Sequence, residues 1–411
     1  MRVCVSGHNT CRSLMRGFSD YDSISELHRR VDELPPELED MFKYMLANIN
    51  EGHRIEGSKI LRACYEKQAT PWDTLPLFTF GLAMIFEYPS GVFYKQNFGI
   101  RNTMDWRKFL CKSFQGRLRS RCGGLLETTC KASNTLRLCL CHSATGEHCQ
   151  LIDSEVSFMH RTVFEFLNHE STWDLECLQM PHDTYNAATA MALYIFHLLL
   201  DLNLTTPARI GLPFSLALGL RWAVAADESS HIHSKQFFDC LNSFMRHLES
   251  TSDTHLSEFR SGFYTDPDLF PLLLAIEAGA VNYVQNDPQF QPISPYDRLD
   301  RFLCKYHSVL YHAVDRPMMF RLCDGNILPF TSSPSRTMAK ALLDNGFNPN
   351  IHIRQPALQT TWIVWLQKLS NKSLPETQSS TLYHLHITED FLQAGADPHA
   401  RFLFKNAIPN C

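Results

Sequence analysis

The chain has 411 residues, 44% of them hydrophobic and 20% charged, which is ordinary globular usage and excludes wholesale disorder. A formal net charge of −5 argues against a protein that coats nucleic acid through overall basicity. Fourteen scattered cysteines lack the density of a secreted disulfide scaffold, and no signal-peptide pattern opens the chain, so a cytoplasmic protein is expected.

Residues 1–33 read as an apolar fragment followed by the helix-like DSISELHRRV, with Asp22 or Ser23 as its N-cap. Leu34-Pro35-Pro36 opens a second helix, in which Leu38, Met41, Phe42, Met45, Leu46 and Ile49 form one apolar stripe. Further helices are expected at 56–67, 73–87 and 105–120. The last should carry Trp106, Phe109, Leu110, Phe114 and Leu118 on one side, with Arg107, Lys108, Lys112, Arg117 and Arg119 elsewhere. After Gly123-Gly124 the pattern turns extended, and GLLETT, TLRLCLCH and EVSFMHRT read as three short strands of a meander. The helix TVFEFLNH follows at once, so residues 34–170 are expected to form a helical plus winged-helix-like module.

Residues 171–300 read as a helical domain. YNAATAMALYIFHLLLDL and FSLALGLRWAVAADESS are its long helices, and Asp266-Pro267 starts another through LFPLLLAIEAGAV. The most apolar stretch, Ala187 to Leu200, is too short to span a bilayer and contains His197, so no membrane association is expected. Residues 301–411 carry weak repeats. Leu342 to Asn350 (LLDNGFNPN) is echoed 49 residues later by Phe391 to His399 (FLQAGADPH), each a helix end, a glycine and a turn. Ser308 to Ala313 and Thr361-Trp362 fall where the T-P-L-H start of an ankyrin unit would stand. The fold expected is therefore mainly α: a winged-helix-like module with a small sheet, a helical bundle, and irregular ankyrin-like hairpins at the C-terminal end.

The motifs of common enzymes are missing. No glycine is followed by lysine, which removes the P-loop, and no two glycines are separated by a single residue, which removes the dinucleotide fingerprint. G-x-S-x-G, H-E-x-x-H and C-x-x-C are absent too. Neither an enzyme nor a cofactor is expected.

Four segments, ISELHRRVDELPPELEDMFKYML, RLRSRCGGLLE, VSFMHRTVFEFLNHESTW and the LLDNGFNPN/FLQAGADPH pair, together resemble the C-terminal portion of fungal NACHT/STAND-type signalling NTPases, relatives of NOD-like receptors. The resemblance implies a leucine-proline-proline helix that follows an ATPase core, a winged-helix-like region ending in the V-x-F-x-H-R-T-V-x-x-F-L signature, and degenerate ankyrin-like repeats. Residues 1–33 would then be the remnant of the region after the core. No residues here match the family's P-loop, so its ATP hydrolysis does not carry over.

The candidate residues follow from these segments. His160, Arg161 and Thr162 are read as an interdomain or structural signature, in which His160 or Thr162 caps a helix and Arg161 pairs with an acid or reaches another domain. Asn348, Asn350, Asp397 and His399 mark the expected partner surface of the repeats. Cys139, Cys141, His148 and Cys149 could supply four zinc ligands, but zinc pairs are usually spaced C-x₂₋₄-C, and strand packing is the preferred reading. His231 with His233, and His384 with His386, would each share a face if extended, and are read as surface histidines. Residues 101–137 hold nine Lys and Arg against Asp105 and Glu127. The expected function is a non-enzymatic regulatory and protein-interaction module, binding a partner protein through its repeats and relaying the event to an NTPase core in cis or in trans. The alternative is a winged-helix DNA-binding protein using 101–137, although nucleic acid is not the expected partner.

Overall fold

In a computed structural model of the chain, the residues described are 23–26, 37–73, 75–88, 103–129, 151–181, 185–205, 211–250, 270–287, 309–315, 335–350, 352–353, 359–370 and 378–400. The protein is mainly α, with two small two-stranded antiparallel sheets among these residues. It divides into two compact units, residues 1–89 with 96–194, and residues 90–95 with 195–411.

At the start, Ser23 caps a helical turn reciprocally: its hydroxyl accepts from Glu26 N–H at 3.4 Å, while the Glu26 carboxylate accepts from Ser23 N–H at 2.7 Å. Helix α1 (Leu38–Ala47) then buries Met41, Phe42, Met45 and Leu46, the apolar stripe read from the spacing. In α2 (Glu51–Ala69), Asn50 is the N-cap, accepting from Gly52 N–H at 3.0 Å. Helices α3 (Thr79–Glu87) and α4 (Met104–Arg121) follow, α4 capped by the Thr103 hydroxyl. The expected helix at 73–87 begins only at Thr79, because Pro76 disfavours helical backbone before it and the chain there pairs with a strand instead.

That pairing defines the module. Strand β1 (Leu126–Thr129) runs antiparallel to β2 (Glu155–Phe158), with Leu126 opposite Phe158 and Thr129 opposite Glu155. Phe78 bridges Glu155 from the other side, and Val156 N–H donates to Leu77 C=O at 2.7 Å. The expected meander is thereby corrected. Its first and third strands pair directly, and β2 lies between β1 and the Leu77–Phe78 segment; the middle segment, TLRLCLCH, lies outside the described residues. Among the described residues the order is helix, short extended segment, two helices and two paired strands, as expected for a winged-helix-like module. Tyr194, at the end of this unit, fastens the extended segment. Its hydroxyl donates to Pro76 C=O at 2.7 Å and accepts from Phe78 N–H at 2.8 Å, and burial pushes it well above the ordinary phenol value.

Helix α4 crosses α2 closely. A methyl group on Gly57 would collide with the Arg121 carbonyl oxygen. Glu56 of α2 pairs with Arg121 and, at 3.5 Å, with Arg117; Arg117 also reaches Glu87 of α3 at 3.1 Å.

The second unit is helical. The unit boundary falls within α6 (Ala187–Thr205), which follows α5 (Arg161–Leu167) in the chain, and α7 (Gly211–Ser229) and α8 (His231–Ser250) come next. Phe196 meets Phe237 and Phe244 edge-on at 5.9 Å each, and Trp222 is fully buried. Beyond them stand three helical hairpins: α9 (Phe270–Ala278) with α10 (Val281–Asn286), α11 (Val309–Asp315) with α12 (Arg336–Asp344), and α13 (Thr361–Ser370) with α14 (Gln378–Gln393). First helices stack in the order α9, α11, α13 and second helices in the order α10, α12, α14. This is a solenoid in miniature, in which each hairpin buries its apolar face on its neighbours. The stack takes in α9 and α10, upstream of residue 301. The short sheet of β3 (His352–Ile353) and β4 (Gln359–Thr360) precedes α13.

Candidate functional site

The signature VSFMHRTVFEFLNHESTW folds into one continuous device. Its strand part, β2, buries Val156 and Phe158. The chain then turns into α5, and His160 is its N-cap: extended backbone at φ −155° and ψ 152°, with Nδ1 accepting from Thr162 N–H at 3.2 Å. The Thr162 hydroxyl lies 2.9 Å from the same nitrogen. Arg161 points outward to Glu165 at 2.8 Å, one helical turn away, and both are exposed. The other end of α5 is closed from downstream, where Thr172 Oγ1 donates to Phe166 C=O at 2.7 Å and Trp173 Nε1 to Leu167 C=O at 2.8 Å. Orphan backbone groups at both helix ends are thus satisfied by residues of the same signature.

The device is wedged between α1 and α2. Phe166 meets Phe42 at 5.4 Å between ring centroids, and Phe164 stacks on Tyr65 at 5.4 Å. The Tyr65 hydroxyl reaches Asn168 at 2.9 Å, and the Arg62 guanidinium lies 4.5 Å from the Trp173 ring centroid. His160, Arg161 and Thr162 therefore sit together at a helix start, with one imidazole nitrogen engaged by the cap.

In α4 the inner and outer faces differ from the expectation. Phe109 is 70% exposed, while Arg107 is 2% exposed with its guanidinium 5.3 Å from the Phe80 ring centroid. Leu110, Cys111, Phe114 and Leu118 set the inward direction, and Phe109 falls outside it by helical geometry. The six basic residues of α4 are sorted accordingly. Arg107, Arg117 and Arg121 are held by an aromatic ring or by carboxylates, whereas Lys108, Lys112 and Arg119 are exposed.

In the repeats, the four expected surface residues lie in two adjacent loops, and Asn350 ties the loops together. Its Nδ2 donates to Gly395 C=O at 2.8 Å, and its Oδ1 accepts from Asp397 N–H at 3.1 Å. Asn348 Oδ1 accepts from Asn350 N–H at 2.8 Å, and Asp397 Oδ1 from His399 N–H at 2.9 Å. Asn348 and Asn350 are half-buried; Asp397 and His399 are exposed. Gly346 at φ 84° and Gly395 at φ 85° close α12 and α14 identically, each followed by an N–H that reaches five residues back, Phe347 to Leu342 and Ala396 to Phe391. Gly279, at φ 96°, closes α9 the same way, with Ala280 N–H on Ala275 C=O at 2.9 Å.

The stretch with Cys139, Cys141, His148 and Cys149 lies outside the described residues. Among the described residues no group of three His, Cys, Asp or Glu is placed to hold a metal. The paired histidines are helical rather than extended: His233 contacts the Ser229 hydroxyl at 3.0 Å, and His384 is buried against Trp365 at 5.5 Å. His386 lies 3.8 Å from Glu389.

Two buried polar centres had no local signal. Asp227, 3% exposed, accepts from Ser234 Oγ at 2.6 Å and from Asn282 N–H and Tyr283 N–H at 2.8 Å each. It caps α10 from another helix, since Ala280 has no side-chain oxygen to do so, and burial raises its carboxyl above the ordinary value. Glu277 and His312 form the second, on the first helices of consecutive hairpins.

No helix among the described residues is long and apolar enough to cross a membrane. Comparison with curated proteins and with solved structures gives no match. One sequence profile does match, and it covers α2 to α5 and most of α6. Residues 48–200 match the model of the family described as a domain of unknown function, DUF7791.

Proposed function

We propose that the chain is a non-enzymatic regulatory module of the kind found C-terminal to the ATPase core in fungal NACHT/STAND-type proteins. Its helical hairpins take a partner protein, and its winged-helix-like module passes that event to an NTPase core in cis or in trans. The observation that carries the reading is the hairpin stack, in which helices pack on their counterparts in the neighbouring hairpin and Asn350 ties together the loops after α12 and α14, as in solenoid binding proteins. The domain at 48–200 supports it, being often found in fungal NACHT-containing proteins. A cytoplasmic setting belongs to the same reading. Cys64, Cys122, Cys177 and Cys240 are free, buried thiols, as a reducing compartment allows.

On this reading Asp397 and His399 touch the partner, while Asn348 and Asn350 hold the loops in place. The test compares partner recovery by the intact chain and by an Asp397→Lys/His399→Glu variant of equal melting temperature. Loss of a specific partner from the variant supports the reading. Equal recovery from both, or ATP turnover by the purified chain, overturns it.

A further inference from the structure

The sorting of basic residues on α4 has a geometric consequence. Lys108, Lys112 and Arg119 stand at intervals of four and seven residues, so they lie in one narrow stripe on the solvent face, with half-buried Gln115 completing the spacing. At 1.5 Å per residue the stripe is about 16 Å long. The other basic residues of the helix are engaged by Phe80, Glu56 and Glu87, whereas none of these three has a side-chain hydrogen bond or ion pair among the described residues. The exposed carboxylates of α4 and β1, Asp105 and Glu127, lie before and after the stripe in the chain.

Beside the stripe the helix carries small residues together with the exposed Phe109, four residues before Ser113 on the same side. Ser113, Gly116 and Ser120 are exposed, and a methyl group on Gly116 would meet nothing within 4 Å. A surface can therefore approach the helix backbone there. In the order helix, extended segment, helix, helix, hairpin, α4 is the third helix, directly preceding the two-stranded hairpin.

We propose that this face of α4 binds the phosphate backbone of duplex DNA. An α-helix is about 10–12 Å across and the B-form major groove about 12 Å wide, so a helix whose outer face carries Ser113, Gly116 and Ser120 after Phe109 can enter it. The major groove of A-form RNA is too narrow and deep for this, which favours DNA over an RNA duplex. Three phosphate contacts position the helix on the duplex and carry no sequence information themselves, so binding without strong sequence preference is expected. The overall charge of −5 does not oppose this, because only charges within about a Debye length of the phosphates act on them. The inference rests on the first unit alone and stands apart from the partner-binding reading of the hairpins.

The experiment is fluorescence anisotropy of a labelled random-sequence DNA duplex with the full chain, between 50 and 200 mM salt. Three neutralised phosphates predict a log–log slope of about −2.7, or about 40-fold weaker binding across that range. The Lys108→Glu/Lys112→Glu/Arg119→Glu variant should bind at least about tenfold more weakly at 50 mM salt. A control that reverses three exposed lysines elsewhere, Lys43→Glu/Lys235→Glu/Lys340→Glu, should bind as the parent does. No binding at 50 mM salt overturns the proposal. So does equal loss in the control, full retention by the stripe variant, or preference for an RNA duplex. Circular dichroism melts of both variants confirm that they are folded before binding is compared.

Discussion

His312 Nδ1 lies 2.5 Å from a Glu277 carboxylate oxygen, and the two side chains are 3% and 0% exposed. The contact joins α9 to α11, the first helices of adjacent hairpins, inside a wall of leucine, alanine and valine. Removing one partner takes away a hydrogen bond between two buried polar side chains, which costs about 1–3 kcal/mol. His312→Ala and Glu277→Ala are each expected to lower unfolding stability in urea by such an amount. Replacing both with leucine should cost clearly less than the sum of the single changes, a difference that a double-mutant cycle reads directly.

At His160 the expected effect is smaller and specific to capping. His160→Ala removes the acceptor for Thr162 N–H and should cost about 1 kcal/mol. Asn is among the best N-caps, so His160→Asn should melt close to the parent. Thermal denaturation of the three proteins checks this; equal loss in Ala and Asn variants would show that the ring itself is what the site needs.

Gly57 marks the α2–α4 crossing. Gly57→Ala places a methyl group against the Arg121 carbonyl, and backbone must shift to admit it. Overpacking of this kind costs about 1–3 kcal/mol, well beyond the helix propensity gained from alanine. Gly116→Ala, on the open face of α4, should instead be stabilising by several tenths to about 1 kcal/mol. Denaturant midpoints of the pair measure the contrast.

Burial lowers His197 from 6.5 to about 4. The folded chain therefore holds a neutral imidazole where the unfolded chain binds a proton. Its contribution is complete above about pH 6.5 and is lost as the pH falls towards 4, where both states are protonated; a shift of this size corresponds to about 3 kcal/mol. His197→Phe should flatten the stability profile between pH 6.5 and 4 relative to the parent, measured by urea titration at several pH values.

The sequence made short-range features readable and left long-range ones hidden. Met41, Phe42, Met45 and Leu46 showed α1 because an amphipathic helix repeats its burial every turn. The glycines at 346 and 395 showed helix ends because a left-handed closure favours glycine. Gly279 was read inside one helix, since LFPLLLAIEAGAV is apolar all round and has no periodicity to interrupt. Leu77–Phe78 looked helical because its pairing partners, Glu155 and Val156, are far along the chain. Arg107 and Phe109 exchanged faces because neighbouring residues of opposite character leave the face ambiguous until Phe80 is in place. The acceptors at Asp227 and Glu277 serve residues 55 and 35 positions away, which no local pattern records.

The hairpin stack also bears on how the protein is made. Each hairpin rests on the one before it, so a chain emerging from the ribosome always has a finished surface ready for the next pair of helices. The first unit has no such convenience. Leu77 and Phe78 must wait for residues 155 and 156 before their backbone is paired, and Tyr194 can close the segment only later still. During synthesis, the backbone groups of Leu77 and Phe78 lack their native partners until the chain has been made as far as residue 194.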